Sequence, residues 1–170
     1  MINFRLEGAG EADKIHDLVH QSFGQVAEAQ LVTNLCNDGD ALISVVAVDD
    51  EDNNIVGHIL FSDTPVGTTR NLLRGAAMAP LSVAKTHQGQ GIGGGLVMQG
   101  LRECRDKGIQ VVVVLGAPDY YSRFGFSADI AKDLESPYEG EFFQALEIEP
   151  GILNGISGKV LYPNAFSKMA

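Results

Sequence analysis

The chain has 170 residues, 45% of them hydrophobic and 20% charged, a balance that excludes a disordered polymer and leads to the expectation of one folded domain over residues 1–170. A formal charge of −10 at pH 7 argues against a nucleic-acid partner, because phosphate binding needs clustered Lys and Arg. No apolar run approaches the ~20 residues that a membrane span needs, and Cys36 and Cys104 alone write neither a disulfide framework nor a zinc cluster.

Residues 2–7 alternate apolar and polar, as a strand should. Glu11 to Phe23 sets Ile15, Leu18, Val19 and Phe23 at helical spacing, and Val26 to Asn37 places Leu31, Val32 and Leu35 on one helical face. Asp38-Gly39-Asp40 breaks that helix. Leu42 to Val48 and Ile55 to Phe61 flank the polar turn Asp49 to Asn54, which predicts a hairpin. Leu72 to Val83 reads as a third strand. Pro80 within it cannot donate to a ladder, so it marks an edge, a bulge or a stop in pairing. A glycine-dense stretch, Gln88 to Gly95, precedes a helix with Ile92, Leu96, Leu101 and Cys104 at helical intervals, stopped at Lys107-Gly108. Val111 to Leu115 is wholly apolar, the pattern of a strand buried on both faces, so strand, loop, helix and strand form a βαβ crossover. Phe142 to Ile148 and Gly158 to Tyr162 read as two further strands.

The glycine stretch carries chemistry. A helix N-terminus has unpaired N–H groups and a partial positive charge, and glycines before it let the backbone approach an anion. Gln88-Gly89-Gln90-Gly91-Ile92-Gly93 opens such a helix directly after a strand. The Walker pattern fails for want of a Gly-Lys-Ser/Thr ending. Gly89, Gly91 and Gly94 meet the Rossmann spacing, but mid-chain, behind antiparallel strands, and with no acid at the tip of the next strand.

Gln88-x-x-Gly91-x-Gly93 resembles the Gln/Arg-x-x-Gly-x-Gly/Ala signature of the GNAT superfamily of N-acetyltransferases. Tyr120-Tyr121-Ser122-Arg123-Phe124-Gly125-Phe126 looks like that family's Tyr-x-x-x-Gly-Phe segment, in the form carried by a bacterial acetyltransferase subgroup. The resemblance is most specific over residues 77–126. It implies a mixed α/β fold with a largely antiparallel sheet and a central parallel βαβ splay, the strands parting near Val83 and Leu115. It also implies acetyl-CoA as co-substrate, held by Gln88, Gly89, Gln90, Gly91, Ile92, Gly93 and Gly94 at the pyrophosphate, and by Leu81, Ser82 and Val83 along the pantetheine arm. No metal is implied.

The implied reaction is direct acetyl transfer to a primary amine of a small molecule or peptide. Tyr121, four residues before Gly125, takes the place of the family's general acid, and a phenol with a pKa of ~10 suits protonation of a departing thiolate. Tyr120 and Phe124 read as packing residues and Arg123 as a solvated one. The general base is not legible: Leu72 to Val83 lacks Asp and Glu, unlike the Glu-bearing members of the family. Glu28 and His58 are candidates, each with a plainer reading as a surface carboxylate and a structural histidine. His87 borders the loop, and Asp49-Asp50-Glu51-Asp52 reads as a solvated turn. The missing carboxylate leaves a non-catalytic acyl-CoA-binding module as the alternative. Without a signal-peptide pattern at Met1 to Glu7, the expected location is the cytoplasm. Strand edges of such folds often pair, which leaves a homodimer open.

Overall fold

Alternation of Ile2 and Phe4 with Asn3 and Arg5 turns one side of Ile2–Leu6 inward and makes the first strand, β1. The computed structural model describes residues 1–169. Helix α1, Ala12–Phe23, buries Ile15, Leu18 and Val19 and ends at Gly24, whose positive φ of 70° lets its N–H cap His20. Helix α2, Ala27–Asn37, buries Ala29, Leu31, Val32 and Leu35. Strands β2, Ala41–Asp49, and β3, Asn54–Asp63, form the expected antiparallel hairpin with Val46 opposite His58.

The single strand expected over Leu72 to Val83 is in fact two. Strand β4, Val66–Thr68, pairs with β5, Asn71–Leu73, and β6 begins afresh at Gly75 and runs to Val83. Arg74 makes the break. Its N–H bonds Gln110 Oε1 at 3.0 Å and its carbonyl accepts from the Gln110 N–H at 2.8 Å, so neither group serves the β4 ladder. Helix α3, Ile92–Asp106, follows the glycine loop, and β7, Val111–Leu115, completes the βαβ crossover. Short helices α4, Pro118–Tyr121, and α5, Ala128–Ala131, come next; Ser127 caps the latter through Oγ. Strands β8, Leu134–Glu135, β9, Phe143–Glu147, and β10, Gly158–Val160, follow, and a 3-10 turn, Asn164–Lys168, ends the regular structure.

The chain forms two compact units. The first comprises Met1–Ser62, Ala79–Glu103 and the tail from Pro163. In it β1, β2, β3 and the second half of β6 lie side by side, with Ala84 N–H donating to Val56 C=O at 2.8 Å. Even-numbered positions of β2 and β3 face α1 and α2: Val46, Val48 and Leu60 join Ile15, Val19, Leu31, Val32 and Leu35 in one core. From Gly57 onward the odd-numbered positions of β3 face α3, with Gly57 against Leu96 and Ile92, whereas Ile55, on the other side of a register shift, packs on the α1 and α2 core. Two covered faces explain why β3 is buried without interruption from Val56 to Ser62.

The second unit comprises Asp63–Met78 and Cys104–Tyr162. Gly75–Ala77 of β6 pair in parallel with Val111–Val113, and β7 pairs antiparallel with β9 from Val111↔Glu147 to Leu115↔Phe143. A separate small sheet runs β5-β4-β10-β8. The class is as expected: mixed α/β, mostly antiparallel, with parallel pairing of β6 with β7 across the helical crossover and of β8 with β10 in the small sheet. Pairing of β6 with β7 stops at Ala77, and Pro80 lies beyond the stop, where its missing N–H costs no β7 bond. Among the described residues no helix is long and apolar enough to cross a membrane.

Candidate active site

The strand that leads into the loop is held by its last carbonyl. Val83 O accepts from Ser22 Oγ of α1 at 3.3 Å and from Gln88 Nε2 at 3.2 Å. Gln88 therefore turns its side chain back onto β6. With Ala84 N–H turned to β3, alternation directs the N–H groups of Leu81 and Val83 to the opposite edge, past the last β7 pair. Leu81 and Val83 are half-buried; Ser82 is buried and faces the other way.

The loop itself is exposed from Gln88 to Gly91. Gly89 and Gly91 have φ of 77° and 80°, the left-handed region that a side chain makes costly. A β-carbon on either would meet nothing within 4 Å, so both lie on an open surface. Gly91 C=O accepts the Gly95 N–H at 3.1 Å and starts α3. The first-turn amides of such a helix have no carbonyl one turn back, so they are donors available to an anion. The site reading for Gly93 and Gly94 is thus a backbone one. The same holds for Ile92, because its side chain is core, 3% exposed and close to Gly57.

His87 does not face the loop as a free cation. Its Nε2 lies 3.1 Å from Asp49 Oδ2 at the end of β2, and its Nδ1 is 2.8 Å from Thr86 Oγ1. The Glu51 N–H, followed by His87, holds the Asp49 carboxyl below its ordinary range. The acidic run is thereby divided in its duties. Asp49 anchors the 3-10 turn Lys85–His87 that enters the loop, Asp50 meets the terminal amine of Met1 at 2.9 Å, and Asp52 caps the turn through Asn54. No group of three or more His, Cys, Asp or Glu among the described residues could hold a metal ion.

Of the two base candidates, Glu28 sits at the start of α2 and accepts from Gln25 Nε2 at 3.0 and 3.1 Å. His58 is fully buried, 0% exposed, and burial lowers its pKa to about 4. Its Nε2 is 2.9 Å from Ser44 Oγ, which donates to Glu7 Oε1 at 2.7 Å. This chain of three was missed in the sequence, since its members lie on three different segments. The one local hint is that Ser44 and His58 are polar residues at inward strand positions.

Tyr121 belongs to the second unit. Pro118 opens α4 with its φ already helical, and the Tyr120 and Tyr121 N–H groups both bond Ala117 O at 3.1 Å. Gly125, at φ 99°, ends the following 3-10 turn. The Tyr121 ring packs edge-on against Tyr120 and Phe126 at 5.0 and 6.0 Å between centroids. Gly116 presses on its side so closely that a β-carbon there would overlap ring atom Cε2. Burial, then Tyr120, raises the Tyr121 pKa. The phenol is therefore protonated at neutral pH. Tyr120 and Phe124 pack together at 5.5 Å as expected, and Arg123 lies 4.7 Å over the Tyr120 ring. Cys104 is buried in the core and Cys36 is exposed on α2.

Residues 3–128 match the family model described as the acetyltransferase (GNAT) domain. The chain is 37% identical over 166 residues to the uncharacterized N-acetyltransferase YhbS of Escherichia coli K12, across 96% of this chain and 98% of that one. The crystal structure of E. coli YhbS in complex with CoA matches with a TM-score of 0.89 at 36% identity, over 98% of this chain and 92% of that chain. A GNAT acetyltransferase from Brucella melitensis in complex with acetyl-CoA matches with a TM-score of 0.78 at 29% identity, over 98% of both chains. The glycine loop, the parallel crossover and these likenesses agree, and the chain belongs to the GNAT family of acetyltransferases.

Proposed function

We propose that residues 1–170 act as one enzyme that moves an acetyl group from acetyl-CoA to a primary amine. The observation that carries the reading is the open backbone cradle of Gly89 and Gly91 at the start of α3, where a β-carbon would meet nothing within 4 Å. Amides without side chains above them suit a diphosphate, and a helix N-terminus favours its charge. The CoA and acetyl-CoA bound by the relatives from E. coli and B. melitensis support the same choice.

In this reading Gln88 to Gly94 hold the pyrophosphate through backbone N–H groups, with the Gln88 side chain bracing the loop against Val83. The outward N–H groups of Leu81 and Val83 bind the pantetheine arm and polarise the thioester carbonyl, and Ser82 faces the opposite layer. The neutral amine attacks the carbonyl carbon and the C–S bond breaks. The thiolate takes the phenolic proton of Tyr121, and the amine gives up its own proton. An acidic chain draws ammonium-bearing acceptors, small molecules or peptides, and suits a cytoplasmic setting rather than a nucleic-acid or membrane partner. Strand β1, at the end of the sheet order, offers an edge through which a homodimer could form.

Calorimetric titration with acetyl-CoA, with NAD and ATP as controls, tests the cofactor, and thiol release across a panel of primary amines tests the reaction. Saturable binding of acetyl-CoA alone, abolished by Gly91→Glu, and turnover of at least one amine are the expected results. Binding without turnover of any amine would replace the enzyme with an acyl-CoA-binding module.

A further inference from the structure

Helix α1 carries two of the four histidines of the chain, in the run His16-Asp17-Leu18-Val19-His20. Residues four apart on a helix are neighbours on one face. The two rings accordingly meet, with centroids 6.4 Å apart and planes at 77°. Ile15, Leu18 and Val19 define the inner side of α1, and the histidines flank it: His16 is half-buried and His20 is exposed. Neither ring has a hydrogen-bond partner among the described residues, so no protein group competes for its nitrogens. The other two histidines are committed, His58 to Ser44 and His87 to Asp49.

Two neutral imidazoles one helical turn apart can chelate a divalent transition metal. Metal–nitrogen bonds of about 2.0–2.1 Å at a tetrahedral angle bring two imidazole centroids to about 5 Å. The rings of His16 and His20 stand further apart than that by about 1 Å, which small rotations about the bonds of two side chains that reach solvent can close. The surroundings favour a cation. Asp13, three residues before His16, is exposed on the same stripe, and Lys14 is turned about 200° round the helix from His16. The net charge of −10 gathers cations over the whole surface.

We propose that His16 and His20 together bind one divalent transition-metal ion of the zinc and copper class, with water in the remaining coordination positions. Imidazole donors suit these ions and not magnesium or calcium, which take oxygen ligands. No group of three or more His, Cys, Asp or Glu among the described residues could hold a metal, so the ion is a clip on the helix and not a reacting centre. The clip closes the last two turns of α1, the stretch that carries Ser22 and its bond to Val83 O at 3.3 Å. This site goes beyond acetyl transfer and does not depend on it.

Calorimetric titration of the chelator-treated protein with zinc chloride tests the site. One zinc ion per chain should bind with a Kd below about 0.1 mM. At ten times that Kd the melting temperature should rise by about 4 °C. His16→Asn and His20→Asn should each weaken binding at least tenfold and abolish the rise, while melting like the parent without zinc. Cys36→Ser should bind as the parent does. Proton NMR should show the imidazole signals of His16 and His20 moving on zinc addition, with those of His58 and His87 unmoved. No saturable binding up to millimolar zinc, parental affinity in either histidine variant, loss of binding in Cys36→Ser, or movement of the His87 signals in place of those two overturns the proposal.

Discussion

Gly100 of α3 lies against the ring edge of Phe61 so closely that a β-carbon would overlap ring atom Cε1. Five residues earlier, Gly95 has the same relation to the ring of Phe4. These two glycines serve helix-to-sheet contact, whereas Gly89 and Gly91 serve the conformation of the loop. Phe61 is fully buried and cannot turn aside; Phe4 is half-buried and can. Gly100→Ala is therefore expected to destabilise the protein by about 2 kcal/mol through overpacking, despite the ~1 kcal/mol that Ala gains over Gly in a helix. Gly95→Ala should cost less. Urea denaturation of the two variants checks the order.

Gly91 at φ 80° has room for a side chain but not the backbone freedom. Gly91→Ala should fold with a loss of about 1 kcal/mol and bind acetyl-CoA roughly tenfold more weakly, because the loop shifts to relieve the left-handed residue. Equal affinity by calorimetry would remove the loop from the cofactor site.

Asp49 and His87 tie the loop to the hairpin at 3.1 Å. Asp49→Asn weakens that tie and leaves the fold intact. Acetyl-CoA affinity should fall several-fold, with little change in thermal stability. An unchanged dissociation constant would show that the loop is held without it.

Tyr121 is kept protonated by its surroundings, since burial raises its pKa. Tyr121→Phe keeps the ring that Gly116, Tyr120 and Phe126 enclose and removes only the hydroxyl. A fall in kcat of about a hundredfold, with acetyl-CoA binding unchanged, is expected for the loss of a general acid. Steady-state kinetics with the responsive amine decides it.

His58 should make the protein sensitive to mild acid. Burial holds the folded ring at about 4 against ~6.5 when unfolded, so the unfolded chain binds the extra proton between those values. The stability this gives is complete above pH 6.5 and is lost as pH falls towards 4, roughly 3 kcal/mol in all. His58→Asn should flatten that slope in denaturation curves from pH 7 to 4. Glu11 acts in a lower window: Arg5 and the Gly8 N–H hold its carboxyl at about 2, so its contribution fades only below pH 4.5.

The sequence by itself determined whatever depends on spacing within one element. Ile15, Leu18 and Val19 declared α1, the run Val111 to Val114 declared a strand covered on both faces, and Gln88 to Gly93 declared a glycine loop at a helix start. Periodicity and glycine placement are local signals, so they survive without a fold. Only tertiary structure decided what depends on a distant partner. Arg74 leaves the strand because Gln110 takes both its backbone groups, and the sheet of β4, β5, β8 and β10 has strands of two or three residues, too short to show a period. The loop histidine is bound to Asp49, thirty-eight residues away, and His58 acquires its chain from Ser44 and Glu7. Hydrogen bonds and close contacts act over a few ångströms in space, and nothing in linear order records which residues the folding of the sheet will bring that near.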